Sequence, residues 1–429
     1  MNTSRIFAIA LTTLLAFSFV GAAPAQEAKP SFEIPETDDG LPGDGPIRRY
    51  DWFRNLWKNK RSQWATRVEQ DQKALVFLGD SITQGWGDDF KGHFADVKKA
   101  NRGISGDTTR GMLIRLQEDV LSLNPSGIVM LMGTNDLEEG ATPEQIAGNF
   151  KLILAAVRQH KADLPVVLCQ VFPSSASKKR PADAIKQINK LYAEAVREDK
   201  FVTLIETWTL FANAEGDAKA EEFPDLLHPN KAGYDKWAAA LWPILATLDF
   251  VETQPDDFQP EAGFKSLFNG DLTGWCFRNQ KSQEVLETFP GKPTSSDGRY
   301  VAKNGRIIVT TPPEGRRVQQ MWTEESFSGD FILKLDFRAT PNADSGVFIR
   351  RPQLQCRDYP LAGPYKELKN YKPQDWNELV ITVKDDVAHC TCNGEVLEAE
   401  FKLPESGPIG LEGDRGQMEY RRIRLKQLP

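Results

Sequence analysis

Short apolar runs alternate with longer amphipathic stretches between residues 74 and 248. The apolar runs are typical of buried strands and lie at 75–78, 128–132, 166–172 and 201–205. Apolar residues at helical spacing follow three of these runs, at 143–159, 182–200 and 230–248. This alternation predicts an α/β domain with a three-layer arrangement, in which helices cover both faces of a parallel sheet.

The pattern changes after residue 263, where apolar and polar residues alternate with a period of two. The run 331–338 shows this most clearly. Every second position is a large apolar residue, and three of the four positions between them are charged: Phe331, Leu333, Leu335 and Phe337 alternate with Ile332, Lys334, Asp336 and Arg338. Asn393-Gly394 is a strong hairpin turn and follows a predicted strand at 387–392. Further strands are predicted at 378–384, 408–411 and 421–426. No long helix is predicted, so the second domain is expected to be an all-β sandwich.

The segments outside these two regions predict the remaining organisation of the chain. Residues 1–25 are typical of a secretory signal, with Arg5 before an apolar stretch and small residues before Gln26. Residues 26–49 and 249–262 are rich in proline and acidic residues and are expected to be linkers. We therefore expect one domain at 50–248 and a second at 263–429.

Residues 50–73 combine aromatic and charged residues at roughly helical spacing. We call the aromatic and aliphatic residues at this spacing the aromatic stripe: Tyr50, Trp52, Phe53, Leu56, Trp57, Trp64 and Val68. Such a stripe usually packs against a core, and we expect it to pack on the domain that follows. Sugar binding is the alternative interpretation of exposed aromatic residues at this position.

Composition and charge exclude some classes of partner. The chain has 429 residues, of which 40% are hydrophobic and 26% charged, and its formal net charge is −7. This is ordinary globular content, and no basic stripe suggests binding to nucleic acid. After removal of the signal, no stretch is expected to span a membrane. The mature protein is therefore expected to be exported, periplasmic or extracellular.

Candidate chemistry begins where the first predicted strand ends, at Gly79-Asp80-Ser81. Open α/β sheets place their functional groups at the carboxyl ends of strands, so Ser81 is a candidate nucleophile. Asp80 is expected to support the serine turn by accepting hydrogen bonds. The candidate base is His228, because Asp225 lies three residues earlier and a turn can bring its carboxylate onto the imidazole. The other histidines are interpreted as surface or packing residues: His93, His160 and His389.

The first domain resembles the SGNH, or GDSL, family of hydrolases. Four blocks occur in the family's order: Gly79-Asp80-Ser81, the run 101–107, Gly133-Thr134-Asn135-Asp136 and Asp225-Leu226-Leu227-His228. The resemblance implies a Ser81, His228 and Asp225 triad. It also implies an oxyanion hole made by the N–H groups of Ser81 and Gly106 and the amide of Asn135. It implies no metal and no cofactor.

The second domain resembles the 3-keto-disaccharide hydrolase family, which has a concanavalin-like jelly-roll sandwich. The resemblance lies in the runs 263–275, 345–350, 407–411 and 420–425. Many members carry a glutamate after the central strand, where this chain has Gln353. The substitution removes an expected carboxylate from the sugar site, and so favours carbohydrate binding over hydrolysis by this domain.

The cysteines leave two alternatives open. Cys169 lies in a predicted strand and is expected to be a buried free thiol. The second domain contains Cys276, Cys356, Cys390 and Cys392, and export makes one or two disulfides possible. No Cys-x-x-Cys pair occurs, so a metal site has little support.

These observations predict a secreted serine esterase that hydrolyses short-chain esters, with acetyl groups on a polysaccharide as the expected substrate. A small-molecule ester is also compatible with the motifs. One alternative is an acyl hydrolase of the lysophospholipase or thioesterase type. Another is a carbohydrate-binding protein whose main activity, keto-glycoside hydrolysis, lies in the C-terminal domain.

Overall fold

The computed structural model describes residues 32–310 and 319–429, and the expected signal at 1–25 lies outside them. The described residues fold as an α/β domain followed by an antiparallel all-β domain, as the hydrophobic pattern predicts.

The α/β domain contains a parallel sheet in the order β2-β1-β3-β4-β5. Its strands are β1 (Leu75–Gly79), β2 (Lys99–Gly103), β3 (Gly127–Leu131), β4 (Val166–Cys169) and β5 (Val202–Ile205). The chain moves from β1 to one side for β2 and to the other side for β3. The carboxyl end of β1 is therefore a topological switch point, where open sheets bind ligands.

Helices connect the strands and flank the sheet. They are α1 (Asp51–Ala65), α2 (Val68–Asp71), α3 (Ser81–Gly85), α4 (Thr109–Asp119), α5 (Thr134–Glu138), α6 (Pro143–His160), α7 (Ala182–Val196), α8 (Thr207–Phe211) and α9 (Lys231–Thr247). The hydrophobic pattern did not predict β2 or α4. It also extended the helix at 182–200 four residues beyond its observed end.

Each face of the sheet has its own apolar core. Side chains of α4, α6 and α7 cover one face, and those of α9 cover the other. The predicted apolar face of α9 is buried, with Trp237 stacked on Trp86 at 4.3 Å between ring centroids. Trp86, which follows the candidate nucleophile by five residues, is therefore a packing residue.

The aromatic stripe at residues 50–73 divides between core and surface. Phe53, Trp57 and Trp64 form a buried cluster with neighbouring apolar side chains. Tyr50 and Trp52 remain exposed at the start of α1. The expectation of core packing is thus correct for Phe53, Trp57 and Trp64 and wrong for Tyr50 and Trp52.

At 263–310 and 319–429, the C-terminal domain contains two larger antiparallel sheets and one small helix, α10 (Tyr359–Ala362). One sheet has the order β18-β17-β16-β13-β21-β10-β9, with β6 paired to β21. The other has the order β15-β14-β20-β11-β7-β8, and β12 pairs with β19. The strands are β6 (Lys265–Ser266), β7 (Trp275–Arg278), β8 (Val285–Thr288), β9 (Tyr300–Lys303), β10 (Arg306–Val309), β11 (Met321–Thr323), β12 (Phe327–Ser328), β13 (Phe331–Ala339), β14 (Gly346–Ile349), β15 (Gln353–Gln355), β16 (Asn377–Lys384), β17 (Val387–Cys392), β18 (Glu395–Lys402), β19 (Ser406–Gly407), β20 (Ile409–Leu411) and β21 (Met418–Gln427).

Strand β13 follows the predicted alternation only at its start. Its polar residues Asp336 and Arg338 are buried as well as its apolar ones. Arg338 pairs with Glu252 at 2.8 Å and with Glu419 at 2.5 Å. The expected linker at 249–262 therefore covers the polar face of this strand and supplies a charged partner for a buried guanidinium.

Hydrogen bonds also join the two domains directly. Gln417 Nε2 donates to Thr247 Oγ1 at 2.8 Å, and Lys303 Nζ donates to the Thr247 carbonyl at 2.7 Å. Asn342 Nδ2 donates to Glu206 Oε1 at 2.8 Å. The end of α9 and the segment after β5 thus rest on the C-terminal domain.

The hairpin and cysteine expectations have different outcomes. Asn393 and Gly394 form the turn between β17 and β18 with positive φ values of 49° and 83°, as the hairpin prediction requires. All five cysteines are buried free thiols, so the possible disulfides are not formed. Cys390 and Cys392 both face the apolar core of the second domain.

Candidate active site

A tight turn from β1 into α3 presents Ser81. Asp80 caps α3, and its Oδ1 accepts a hydrogen bond from the Ile82 N–H at 2.9 Å. Gly79 is the last residue of β1 and lies beside Leu131 of β3. A Cβ atom at Gly79 would lie 2.7 Å from the carbonyl oxygen of Leu131, so only glycine fits at this position. The expected supporting role of Asp80 agrees with this geometry.

The structure brings Ser81, His228 and Asp225 into one hydrogen-bonded chain. Ser81 Oγ lies 2.9 Å from Nε2 of His228, and Nδ1 of the same imidazole lies 2.7 Å from Asp225 Oδ2. The second carboxylate oxygen, Oδ1, accepts the N–H groups of His228 at 2.7 Å and Leu227 at 3.1 Å. With both oxygens occupied, the carboxylate holds the imidazole in a fixed orientation.

The electrostatics of this loop keep Asp225 ionised. Partial burial alone would raise its pKa, but the hydrogen bonds from His228 and Leu227 outweigh burial and hold the pKa below its ordinary value. The side chains of Asp225 and His228 are 47% and 44% exposed. Asp225 and His228 are therefore open to solvent, while Ser81 beside them is partly buried.

Contacts from two other elements support the histidine loop. Ser174 Oγ donates to the Leu226 carbonyl at 2.7 Å. Asn230 caps α9, because its side chain accepts the Gly233 N–H at 3.1 Å. Tyr234, in the first turn of α9, donates to the Ile82 carbonyl at 2.9 Å. Thus α9 is tied both to the histidine loop and to the turn that carries the serine.

The two further oxyanion candidates lie on adjoining segments. Gly106 follows β2 with a φ of 87°, and the preceding N–H of Ser105 donates to Gln84 Oε1 on α3 at 2.8 Å. Asn135 is buried in α5 and donates through Nδ2 to the Asp107 carbonyl at 3.0 Å. A side-chain amide has two N–H donors, so Asn135 retains one after making this bond.

Two buried arginines that bind α5 or the residue after it were not found from the sequence. Arg180 donates to Asn135 Oδ1 and to the Thr134 carbonyl, each at 3.0 Å, and pairs with Glu138. Arg48 pairs with Glu139 at 2.7 Å and also contacts Glu138. Because a guanidinium only donates, Arg180 fixes the amide oxygen of Asn135 on its own side, so that the amide nitrogen faces the Asp107 carbonyl. Neither arginine lies in a recognisable motif.

Asp107 and Asp136, which flank the motifs, bind neighbouring backbone and side chains. Asp136 accepts the Thr109 N–H at 3.0 Å, and Asp107 pairs with Arg115 at 2.8 Å. Both aspartates are fully enclosed. Their contacts agree with the expectation that they order the loops around the site.

Replacement of Asp80 by asparagine is expected to change how stability depends on pH. Burial raises the pKa of Asp80 to about 6, against the opposing charges of His228, Arg180 and Arg48. Its Oδ2 has no hydrogen-bond partner among the described residues. A carboxyl group whose pKa is raised by folding stabilises the folded chain at low pH, and that contribution is lost as pH rises through the folded pKa.

We therefore expect wild type to lose about 1 kcal/mol of unfolding free energy relative to Asp80→Asn between about pH 5 and pH 7.5. Urea unfolding of both proteins at several pH values measures this difference. A difference that stays constant over the range would show that folding does not raise the pKa of Asp80.

The C-terminal domain has a second polar cluster that the sequence did not reveal. Glu412, just after β20, accepts hydrogen bonds from Gln320 at 2.7 Å and from Gln353 at 2.8 Å. Burial raises the pKa of Glu412. Trp322 and Phe348 pack together on the same sheet, with ring centroids 5.1 Å apart. A carboxylate is therefore present beside the position where Gln353 replaces the family's glutamate.

Neither a metal cluster nor a membrane-spanning helix is found in the part of the chain that the structure describes. No group of three or more His, Cys, Asp or Glu residues there is arranged to hold a metal ion. No helix at 32–310 or 319–429 is both long and apolar enough to cross a bilayer.

Comparisons with known proteins agree with this architecture. Residues 77–236 match the GDSL-like lipase/acylhydrolase family, and residues 263–426 match the 3-keto-alpha-glucoside-1,2-lyase-like domain. Platelet-activating factor acetylhydrolase IB subunit alpha2 of Homo sapiens is 24% identical over 229 residues, covering 53% of this chain and 94% of the relative. Esterase TesA of Pseudomonas aeruginosa is 24% identical over 188 residues, covering 41% of this chain and 89% of the relative.

A solved GDSL-like lipase from Bacteroides thetaiotaomicron is 25% identical, with a TM-score of 0.39, and the match covers 44% of this chain and 97% of that one. Because residues 77–236 match the family model, the first domain is an SGNH-type carboxylic ester hydrolase of the GDSL-like lipase/acylhydrolase family. The second domain is a 3-keto-alpha-glucoside-1,2-lyase-like domain. This is the family named above as the 3-keto-disaccharide hydrolase family.

Proposed function

We propose that this protein is an exported serine esterase that removes acetyl or similarly short acyl groups from carbohydrate. The hydrogen-bonded chain from Ser81 through His228 to Asp225 carries the proposal. Asp225 is ionised and both imidazole nitrogens are engaged, which is the arrangement a serine nucleophile requires for activation.

In the proposed reaction, Ser81 Oγ bonds to the ester carbonyl carbon while its proton moves to His228 Nε2. The carbonyl oxygen becomes an oxyanion, which receives hydrogen bonds from the N–H groups of Ser81 and Gly106 and from the Asn135 amide. Collapse of this intermediate breaks the bond to the leaving alcohol, and His228 returns the proton to that alcohol. Water, deprotonated by His228, then releases the acid from Ser81 by the same steps.

Three further observations support the substrate class. The Asp225 and His228 side chains are nearly half exposed, which suits an acyl group presented on a large and soluble molecule. The second domain belongs to a carbohydrate-related family and carries a carboxylate and aromatic rings on one sheet. One relative is named an acetylhydrolase, which supports a short acyl group. Carbohydrate is accordingly the proposed ligand of the second domain.

Export is proposed from the sequence of residues 1–25. The positively charged start, the short apolar stretch and the small-residue site before Gln26 together support cleavage at that position.

Acetate release from an acetylated xylan tests the proposal, with p-nitrophenyl acetate and p-nitrophenyl palmitate as comparison esters. We expect release from the polysaccharide and the short ester, weak hydrolysis of the palmitate, and a secreted chain that begins at Gln26. Preference for the palmitate would favour the lipid-type alternative. A keto-sugar released by protein lacking Ser81 would assign the main activity to the C-terminal domain.

A further inference from the structure

The start of α1 presents two aromatic rings to solvent beside the candidate active site. Tyr50 is 53% exposed and Trp52 is 51% exposed, whereas the later aromatic residues of the same helix are buried. Their rings are nearly parallel, with an interplanar angle of 12° and centroids 6.4 Å apart. We call this pair the aromatic platform.

The aromatic platform borders the oxyanion hole. A Cβ atom placed on Gly106 would lie 2.6 Å from Cη2 of Trp52 and 2.9 Å from Nη1 of Arg48. Trp52 is therefore in contact with the backbone whose N–H is proposed to bind the oxyanion. A group bound on the platform would lie next to the segment that carries this N–H.

Polar groups surround the platform. Tyr50 donates its hydroxyl to Glu139 Oε2 at 3.3 Å, and Arg48 donates to Glu139 Oε1 at 2.7 Å. The Arg48 guanidinium also lies 6.0 Å from the centre of the Trp52 ring. The platform thus combines flat, exposed apolar faces with the Glu139 carboxylate at its edge, and the buried Arg48 holds that carboxylate in place.

We propose that the aromatic platform is a binding subsite for a sugar ring of the substrate, on the leaving-alcohol side of the scissile ester. A pyranose has apolar C–H faces that pack on aromatic rings and hydroxyls at its edge that bind a carboxylate such as that of Glu139. The open, polar-edged platform suits such a ring better than a fatty chain, which requires enclosure by apolar side chains. This inference rests on the proposed carbohydrate esterase function.

The test compares Trp52→Ala and Tyr50→Ala with wild type on acetylated xylooligosaccharides and on p-nitrophenyl acetate. The small ester has no sugar to place on the platform. We expect Trp52→Ala to lower kcat/KM for the oligosaccharide by roughly tenfold, with a smaller loss for Tyr50→Ala. Hydrolysis of the small ester should change less than about twofold, and Trp52→Phe should restore most of the loss.

Phe201→Ala is the matched control. Phe201 is a 36% exposed aromatic residue directly before β5, at the end of the sheet opposite the triad. We expect this variant to match wild type on both substrates.

Each outcome has one meaning. Selective loss on the oligosaccharide supports the subsite. Equal loss on both esters overturns it, because Trp52 would then act by shaping Gly106, and unchanged rates on both overturn it as well. If wild type releases no acetate from acetylated sugars, the proposed function itself fails and the subsite fails with it.

Discussion

Replacement of Ser81 by alanine is expected to lower kcat for ester hydrolysis by about ten-thousand-fold or more, since no acyl-enzyme can form without the hydroxyl. The fold should not change. Ser81 Oγ contacts His228 at the surface, while the turn is held by the Asp80 cap, which the substitution leaves in place. Hydrolysis of p-nitrophenyl acetate and the thermal unfolding midpoint measure the two effects.

Ser122→Ala is the matched control for this experiment. Ser122 lies in a short 3₁₀ turn before β3, near the amino ends of the strands, whereas the triad lies at their carboxyl ends. A fluorophosphonate probe should label wild type and Ser122→Ala and leave Ser81→Ala unlabelled. A folded Ser81→Ala protein that keeps wild-type turnover would refute the assignment of Ser81 as nucleophile.

Asp225→Asn is expected to lower kcat by roughly a thousand-fold to ten-thousand-fold. In the structure, Asp225 Oδ1 accepts two backbone N–H groups, and Oδ2 faces His228 Nδ1. An asparagine must keep its carbonyl oxygen on those two N–H groups, so its NH₂ would face Nδ1. The imidazole would then carry its proton on Nε2 and could not accept one from Ser81.

Steady-state kinetics of Asp225→Asn at neutral pH measures this loss. Wild-type Asp225 is ionised there, because its pKa lies below the ordinary value of 3.8. Asp163→Asn is the matched control, since the Asp163 side chain is 64% exposed and lies before the amino end of β4. A loss of less than about tenfold in Asp225→Asn would show that the backbone of the loop alone orients the histidine.

The hydrophobic pattern predicted the elements whose burial follows from their own residues. Strands β1 and β3 are continuous apolar runs, and α9 has a regular apolar face, so each was recognisable locally. Strand β2 was not recognisable, because it consists of Lys99-Ala100-Asn101-Arg102-Gly103. Its Arg102 can be buried because distant residues provide partners, among them the Asp71 carboxylate at 2.8 Å and the Asp119 carbonyl at 2.9 Å.

The motifs around Ser81 and His228 were enough to predict the three residues that the structure joins by hydrogen bonds, because these motifs specify tight local turns with short-range hydrogen bonds. The residues around them could not be predicted in this way. Arg180 becomes a neighbour of Asn135, and Trp52 and Arg48 of Gly106, through contacts between segments distant in sequence. Burial and charge pairing of this kind depend on how segments meet, so no local pattern of residues predicts them.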